Sequence, residues 1–458
     1  MKVIICGAGQ VGYGIAERLS QEGNDVAVID TSSQLISAIT QTLDVNGLVG
    51  HGAHPDVLKK AGADDADMII AVTLHDEINM VACQVAHSLF NVPTKIARIR
   101  AQEYLHPEHA DLFSRDHMPI DVKISPEVEV GKMVLRRISF PGAQDVVRFA
   151  DDNIMMLAIE CLEDCPVIAT PLDQLSQLFP DLMATVTAVF RAGKLRITRS
   201  ADQLEVGDIA YVVCMRDHVR RTLGLFGHEE QEARRIVIAG GGNIGYYVAN
   251  AIEQGQSKTR IKIIEADRTR AAQISDQLNS TIVLNGSALD HSILNQADIQ
   301  NADLMVALTN NDQTNILGAA MAKNLGCKAN LALINNPNYH EFTHVLGIDA
   351  HVNPRAVTIS RVLQHVRKGR IRSVYAVQKG AAEVIEGEAL DTSPLVGKPL
   401  RDLNLPEGIR IGAIFRDGKV LKPDGTLKIK AKDRVVLTAA ASAVRHVEQL
   451  FRVSIQYF

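Results

Sequence analysis

The sequence predicts an α/β chain built by internal duplication: two doubly wound parallel-sheet domains, each followed by a small α+β domain. Three observations predict it. A short apolar strand followed by Gly-x-Gly-x-x-Gly occurs twice, at residues 3–6 with Gly7-Ala8-Gly9-Gln10-Val11-Gly12 and at residues 236–239 with Gly240-Gly241-Gly242-Asn243-Ile244-Gly245. Each loop is followed by a helix pattern and then by a second strand that ends in a carboxylate. Matching stretches continue through both halves, and the texture then changes from alternating strands and helices to hairpins.

The helix after each loop shows in the spacing of Val11, Ile15 and Leu19 and of Ile244, Val248 and Ile252. The second strands, Val26-Ala27-Val28-Ile29-Asp30 and Ile261-Lys262-Ile263-Ile264-Glu265, place their carboxylates 18 and 20 residues past the last glycine. Further on, Ala66-Asp67-Met68-Ile69-Ile70-Ala71-Val72-Thr73 matches Ala302-Asp303-Leu304-Met305-Val306-Ala307-Leu308-Thr309 at a constant offset of 236. Thr73, Asp76 and Asn79 then pair with Thr309, Asp312 and Asn315, Tyr104 with Tyr339, and Ile120-Asp121 through Pro126 with Ile348-Asp349 through Pro354. Continuous apolar strands alternating with helices argue for a parallel sheet covered on both faces.

After these large domains come hairpin signals, Ala188-Val189-Phe190-Arg191-Ala192-Gly193-Lys194 and Ala413-Ile414-Phe415-Arg416-Asp417-Gly418-Lys419, the Asp-Gly pair being a favourable hairpin turn. The expected division is a large domain over 1–120, a connecting helix in 121–138, a small domain over 139–227 and a polar linker at 228–233. It repeats as a large domain over 234–348, a connecting helix in 349–370 and a small domain over 371–458. The helical stretches, 126–138 and 354–366, could carry a contact between subunits.

Composition excludes several classes. A length of 458 residues is more than one core usually serves, and 46% apolar against 22% charged residues leaves no argument for disorder. The net charge is −5 with no run of Lys or Arg, so nucleic acid is not an expected partner. No apolar run approaches the ~18 to 20 residues that span a bilayer. The run after Met1-Lys2 is too short for a signal-peptide core, so the mature chain is expected to begin at this strand. Six cysteines are scattered, and the close pair Cys161 and Cys165 has no second pair at zinc spacing, so all six read as reduced, mostly buried thiols.

In such a loop the first glycine permits the turn, the second lets the backbone approach a pyrophosphate, and the third lets helix and strand pack. Backbone N–H groups and the helix dipole then hold the anion. Asp30 and Glu265 can accept from ribose hydroxyls and would repel a 2′-phosphate, which favours NAD(H) over NADP(H); the plainer reading is two solvated strand ends. Arg98 is a cation in a strand pattern, reading equally as a partner for phosphate or carboxylate and as a surface ion pair, and its counterpart is Leu333. His51 and His54, replaced by Ser287 and Asp290 in the second copy, read as loop histidines near a nucleotide rather than as a metal pair, since no third ligand is suggested. Thr73 and Thr309 could touch the cofactor or begin to cap the next helix. Asp208 and Asp433 read first as turn residues entering a strand.

No Ser/His/Asp or Cys/His constellation suggests itself, so no catalytic residue and no metal site is expected. Two nucleotide sites without evident chemistry fit a sensor or gating subunit that responds through differential affinity. A dehydrogenase-like enzyme with duplicated cofactor domains is the alternative, and an assembly scaffold with relict loops a third reading.

The chain resembles the TrkA family, the cytosolic nucleotide-binding subunits of bacterial Trk potassium-uptake systems, and its halves resemble tandem regulator-of-K+-conductance (RCK) units. The resemblance spans essentially the full length. It rests on Gly7-Ala8-Gly9-Gln10-Val11-Gly12, Gly50-His51-Gly52-Ala53-His54-Pro55, Gly62-Ala63-Asp64-Asp65-Ala66-Asp67-Met68, Asp76-Glu77-Ile78-Asn79-Met80-Val81-Ala82-Cys83-Gln84-Val85-Ala86 and Ile96-Ala97-Arg98-Ile99-Arg100. It implies two Rossmann-like domains and a non-enzymatic homo-oligomer, a tetrameric ring, attached to the cytoplasmic face of the inner membrane through an integral-membrane Trk-type channel subunit. That channel would be gated by NAD+ or NADH, or by ATP or ADP in one or both sites. Carried onto matching positions, the first site comprises Gly7, Ala8, Gly9, Gln10, Val11, Gly12, Asp30, Thr73, Leu74 and Arg98. The second comprises Gly240, Gly241, Gly242, Asn243, Ile244, Gly245, Glu265, Thr309 and Asn310, with Leu333 where the first has its arginine.

Overall fold

The glycine loops sit where the order of strands in a sheet reverses. In a computed structural model, which describes residues 1–255, 258–343, 345–366 and 370–451, each half opens with a six-stranded parallel sheet. In spatial order the first is Asn46–Val49, Asp25–Asp30, Lys2–Cys6, Met68–Ala71, Thr94–Arg98 and Val122–Ile124. The second is Ile282–Asn285, Arg260–Glu265, Arg235–Ala239, Leu304–Ala307, Ala329–Leu333 and Ala350–Val352. The chain starts at a central strand, runs to one edge and crosses back, so the carboxyl ends of Lys2–Cys6 and Met68–Ala71 frame the crevice in which such sheets bind ligands. The central strands are buried on both faces, as their unbroken apolar runs require.

The last strand of each sheet falls inside the segments 121–138 and 349–370 expected to be connecting helices. Val122–Ile124 pairs with Ile96–Arg98 and Ala350–Val352 with Leu331–Leu333, so each segment starts as strand and turns helical at its proline, in Pro126–Ser139 and Pro354–Val366. Proline at the first helical position lacks an N–H that would be unpaired there anyway. Ser125 caps the first of these helices by accepting from the Val128 N–H.

Those two helices do not stay with their own halves. Val130, Met133 and Val134 of the first connecting helix are buried in the second large domain with Ile236, Ile238 and Val248. Val362, Leu363 and Val366 of the second are buried in the first large domain with Ile15 and Leu19. Three such side chains are worth on the order of 5 kcal/mol of apolar burial for each helix. These helices, read above as able to carry a contact between subunits, pack the two halves of one chain together in this structure.

The small domains are five-stranded antiparallel sheets. One orders Lys194–Ile197, Ala184–Arg191, Ile209–Met215, Ile154–Glu160 and Ala143–Phe149; the other orders Ile371–Val377, Ala382–Glu388, Arg434–Ala440, Ile409–Arg416 and Lys419–Leu421. The two sheets share a core in which Phe149, Met156 and Val213 meet Val384, Ala413 and Val436. The predicted hairpins turn through Ala192 and Gly193 (φ 49° and 76°) and through Asp417 and Gly418 (φ 48° and 78°), the left-handed pair that suits a right-twisted ribbon. Asp208 and Asp433 do more than enter a strand. Each is buried and takes a bidentate guanidinium, Asp208 from Arg191 with both N–O distances 2.7 Å, Asp433 from Arg416 at 2.7 and 2.6 Å. All six cysteines are unpaired and buried. Among the described residues no helix is long and apolar enough to cross a membrane.

Candidate functional site

Each glycine of the loops has a separate reason to be glycine. Gly7 and Gly240 adopt φ of +111° and +101°, closed to most side chains. A Cβ on Gly12 would lie 1.8 Å from the Gly7 carbonyl oxygen, and one on Gly245 would lie 2.0 Å from that of Gly240. Gly9 and Gly242 differ: their φ values of −62° and −64° are ordinary, and a Cβ would meet nothing within 4 Å. Nothing in the fold requires glycine at those two positions, and a side chain there would occupy space beside the backbone that an anion needs. Both head helices, Gln10–Gln21 and Asn243–Gln254, that lack any side-chain cap, leaving their first N–H groups available to a phosphate.

The carboxylates hold the loops. Asp30 accepts from the Ala8 N–H at 2.7 Å and the Ser32 N–H at 2.8 Å; Glu265 accepts from the Gly241 N–H at 2.6 Å and the Asp267 N–H at 2.8 Å. Neither is a merely solvated strand end, and each oxygen keeps a lone pair for a hydroxyl donor.

At the end of the fourth strand, Thr73 and Thr309 are tied by asparagines that the repeat comparison paired but assigned no role. The fully buried Asn79 accepts from the Thr73 N–H and hydroxyl, both at 2.8 Å, and donates to the carbonyls of Thr73 and Arg98 at 3.3 and 2.9 Å. Asn315 does the same for Thr309 and Leu333, accepting at 2.8 and 2.7 Å and donating at 2.9 and 2.8 Å. The available signal was an Asn at the same repeat position on the apolar face of each helix, in line with Ala82, Cys83 and Ala86 and with Ala319 and Ala322, where a buried amide needs polar partners.

One cleft of about 860 Å³ contains parts of both sites. From the first half it is lined by Gly7, Gly9, Gln10, Val11, Asp30, Leu35, His51, Thr73, Leu74, His75, Arg98, Arg100 and Glu127, and from the second by Gly242, Asn243, Ile244, Asn310, Leu333, Asn335, Arg355 and Thr358. Ala8, Gly12, Gly240, Gly241, Gly245, Glu265 and Thr309 do not line it; they shape the loops behind its walls. The first turns of both connecting helices form part of the wall, through Glu127 and through Arg355 and Thr358.

Arg98 donates to the Thr73 carbonyl at 2.7 Å while its Nε is buried without a partner among the described residues. Burial, and after it the neighbouring Arg100 charge, lowers its pKa from the ordinary arginine value. Of the readings open for Arg98, the surface ion pair is overturned: among the described residues it forms no salt bridge, and it faces the cleft. Arg100 pairs with Glu127 at 2.8 Å. The His51 and His54 rings stack with centroids 4.5 Å apart, and among the described residues no three His, Cys, Asp or Glu side chains gather as a metal site would need.

The second half has a cation that its sequence comparison missed. Arg270, at the position of Leu35, donates from Nε to the Gly241 carbonyl at 2.9 Å, with its guanidinium 5.9 Å from the centre of the Tyr246 ring. Together with Ile274, whose Cδ1 lies 2.4 Å from where a Gly241 Cβ would be, it closes over the loop.

Comparison with known proteins agrees with this architecture. TrkA-N domain models match residues 3–126 and 236–354, and a TrkA-C domain model matches residues 386–452. The chain is 58% identical to the Trk system potassium uptake protein TrkA of Azorhizobium caulinodans and 38% identical to that of Halomonas elongata, in both cases covering 100% of each chain. Among solved structures the GsuK RCK domain superposes with a TM-score of 0.59 at 18% identity, covering 98% of this chain and 94% of that one. The GsuK channel bound to NAD gives 0.60 at 18% identity, covering 98% and 78%.

Proposed function

The chain belongs to the TrkA family of Trk system potassium uptake proteins, and we propose that it is the nucleotide-sensing regulatory subunit of a Trk-type potassium channel, with no turnover of its own. Its ligand is NAD(H), or ATP or ADP in one or both sites. It works as a homo-oligomer, a tetrameric ring on the cytoplasmic face of the inner membrane, held there by an integral-membrane channel subunit. The first site is Gly7 to Gly12 with Asp30, Thr73, Leu74 and Arg98, and the second is Gly240 to Gly245 with Glu265, Thr309 and Asn310. The division into two large and two small domains, joined by connecting segments and the 228–233 linker, is part of the same proposal.

The single observation that supports this most is the shared cleft. Its walls come from both glycine loops and from the first turns of both connecting helices, so a ligand there bears on how the two halves sit against each other. A ligand that prefers one arrangement shifts the population by its differential affinity. The NAD bound to the GsuK channel, a protein of the same fold, supports the choice of dinucleotide. A dehydrogenase would instead place a substrate domain over the cofactor. Here the facing wall is the other half.

Gly9→Glu tests the proposal, because a Cβ at that position would meet no protein atom within 4 Å, and the added carboxylate would oppose a phosphate held at the loop. Expected are an unchanged Tm, loss of NADH binding, and potassium uptake that no longer follows the nucleotide in cells dependent on this chain. Normal regulated uptake with NADH binding abolished contradicts it.

A further inference from the structure

The halves are alike enough that each could pair with a second copy of itself, yet the contacts between them are not interchangeable. We propose that they carry reciprocal complementarity, so that each half accepts the other half of the chain and rejects a copy of itself.

At the helix contact, Gly14 of helix Gln10–Gln21 lies against Ile359 of the second connecting helix, where a Cβ on Gly14 would sit 2.4 Å from Ile359 Cδ1. The contact related to it by the duplication sets Tyr247 of helix Asn243–Gln254 against Gly131 of the first connecting helix, where a Cβ on Gly131 would sit 2.3 Å from Tyr247 Cδ1. Position 14 corresponds to 247 and position 131 to 359. The large residue is therefore on the connecting helix in one contact and on the glycine-loop helix in the other. A first half paired with its copy would oppose Gly14 to Gly131 and leave a void. A second half paired with its copy would force Tyr247 and Ile359 into room for one.

The small sheets repeat the logic in different chemistry. Each has a one-residue irregularity at equivalent positions, Thr187 and Gly412, and Val213 corresponds to Thr438 on the neighbouring strand. The fully buried Thr438 hydroxyl donates to the fully buried Thr187 hydroxyl at 2.7 Å, which in turn donates to the Tyr211 carbonyl at 3.2 Å. The related contact is steric: a Cβ on Gly412 would lie 2.7 Å from Val213 Cβ. Self-pairing would press Thr187 onto Val213 in one half and leave the Thr438 hydroxyl buried beside Gly412, without its partner, in the other.

Two cycles in the full chain test this, read as Tm. Gly131→Ile recreates the Ile/Tyr contact of second-half self-pairing, Tyr247→Gly recreates the Gly/Gly contact of first-half self-pairing, and the double variant recreates the native Gly/Ile contact. In the sheets, Gly412→Thr, Val213→Thr and their double do the same, the double recreating the native Thr/Thr pair. Each single is expected to lose roughly 5 °C, and each double to regain most of it, as contacting residues couple. If a helix single does not fold, the sheet cycle decides. Doubles as unstable as their less stable single overturn the proposal.

Discussion

The two glycine loops have nearly the same backbone but different surroundings. In the first half Asp30, Leu35 and His51 open onto the cleft and Arg98 crosses its floor. In the second, Arg270 replaces Leu35 and grips the loop carbonyl, Leu333 replaces Arg98, and Glu265 stays behind the wall. Most shared features are those the backbone needs: the glycine turn, the carboxylate on the loop N–H, and the buried Asn79 and Asn315; Gly9 and Gly242, which the fold does not require, are shared too. The divergent features line or flank the cleft around these loops. Duplication has kept the frame and the bare loop glycines and changed the side chains around them.

The strongest way to break that comparison is at the frame. Gly12→Ala and Gly245→Ala should each cost about 3 kcal/mol or more, because the added methyl meets a backbone oxygen that cannot move. Thermal denaturation should show similar losses in both halves, and a wild-type Tm for either would refute a common frame. Arg98→Leu makes the first site like the second. It should weaken NADH binding roughly tenfold, about 1.4 kcal/mol, with little change in Tm.

Arg270→Leu makes the second loop like the first. Losing the bond to the Gly241 carbonyl should lower stability by about 1 kcal/mol and leave NADH affinity in the first site unchanged, as calorimetry would show. The smallest effect concerns acid. Burial raises the Glu253 pKa, but hydrogen bonds from the Thr281 hydroxyl and from the N–H groups of Asn279, Ser280 and Thr281 outweigh it and hold the carboxyl down at about 2. A lowered folded-state pKa means its stabilisation is present above about 4.5 and is lost as pH falls toward 2. The first half has Ser20 at this place. Hydrogen exchange between pH 5 and pH 3 should loosen residues 279–281 before the equivalent first-half segment, and removing the carboxylate with Glu253→Gln should abolish that difference.

Much of the fold was legible because its signals are local. Glycine spacing, apolar periodicity and a fixed offset of 236 are properties of short stretches, as are the turns at Ala192-Gly193 and Asp417-Gly418. The site was legible where a residue's neighbours in sequence are its neighbours in space, as in Gly7 to Gly12. It was not where partners come from afar. That Asp30 clasps Ala8, that Arg270 reaches Gly241, and that each connecting helix docks on the opposite half depend on packing no window of sequence contains. The strands Val122–Ile124 and Ala350–Val352 were missed because three residues carry too little alternation to register.

The most direct test is a calorimetric titration of NADH into the full chain and into Gly9→Glu and Gly242→Glu, matched variants at positions where an added Cβ meets no protein atom within 4 Å. With the first site the dinucleotide sensor, Gly9→Glu should weaken the tight phase at least a hundredfold, about 2.7 kcal/mol, while Gly242→Glu leaves it within about twofold. Tight binding that survives Gly9→Glu and disappears with Gly242→Glu would contradict it.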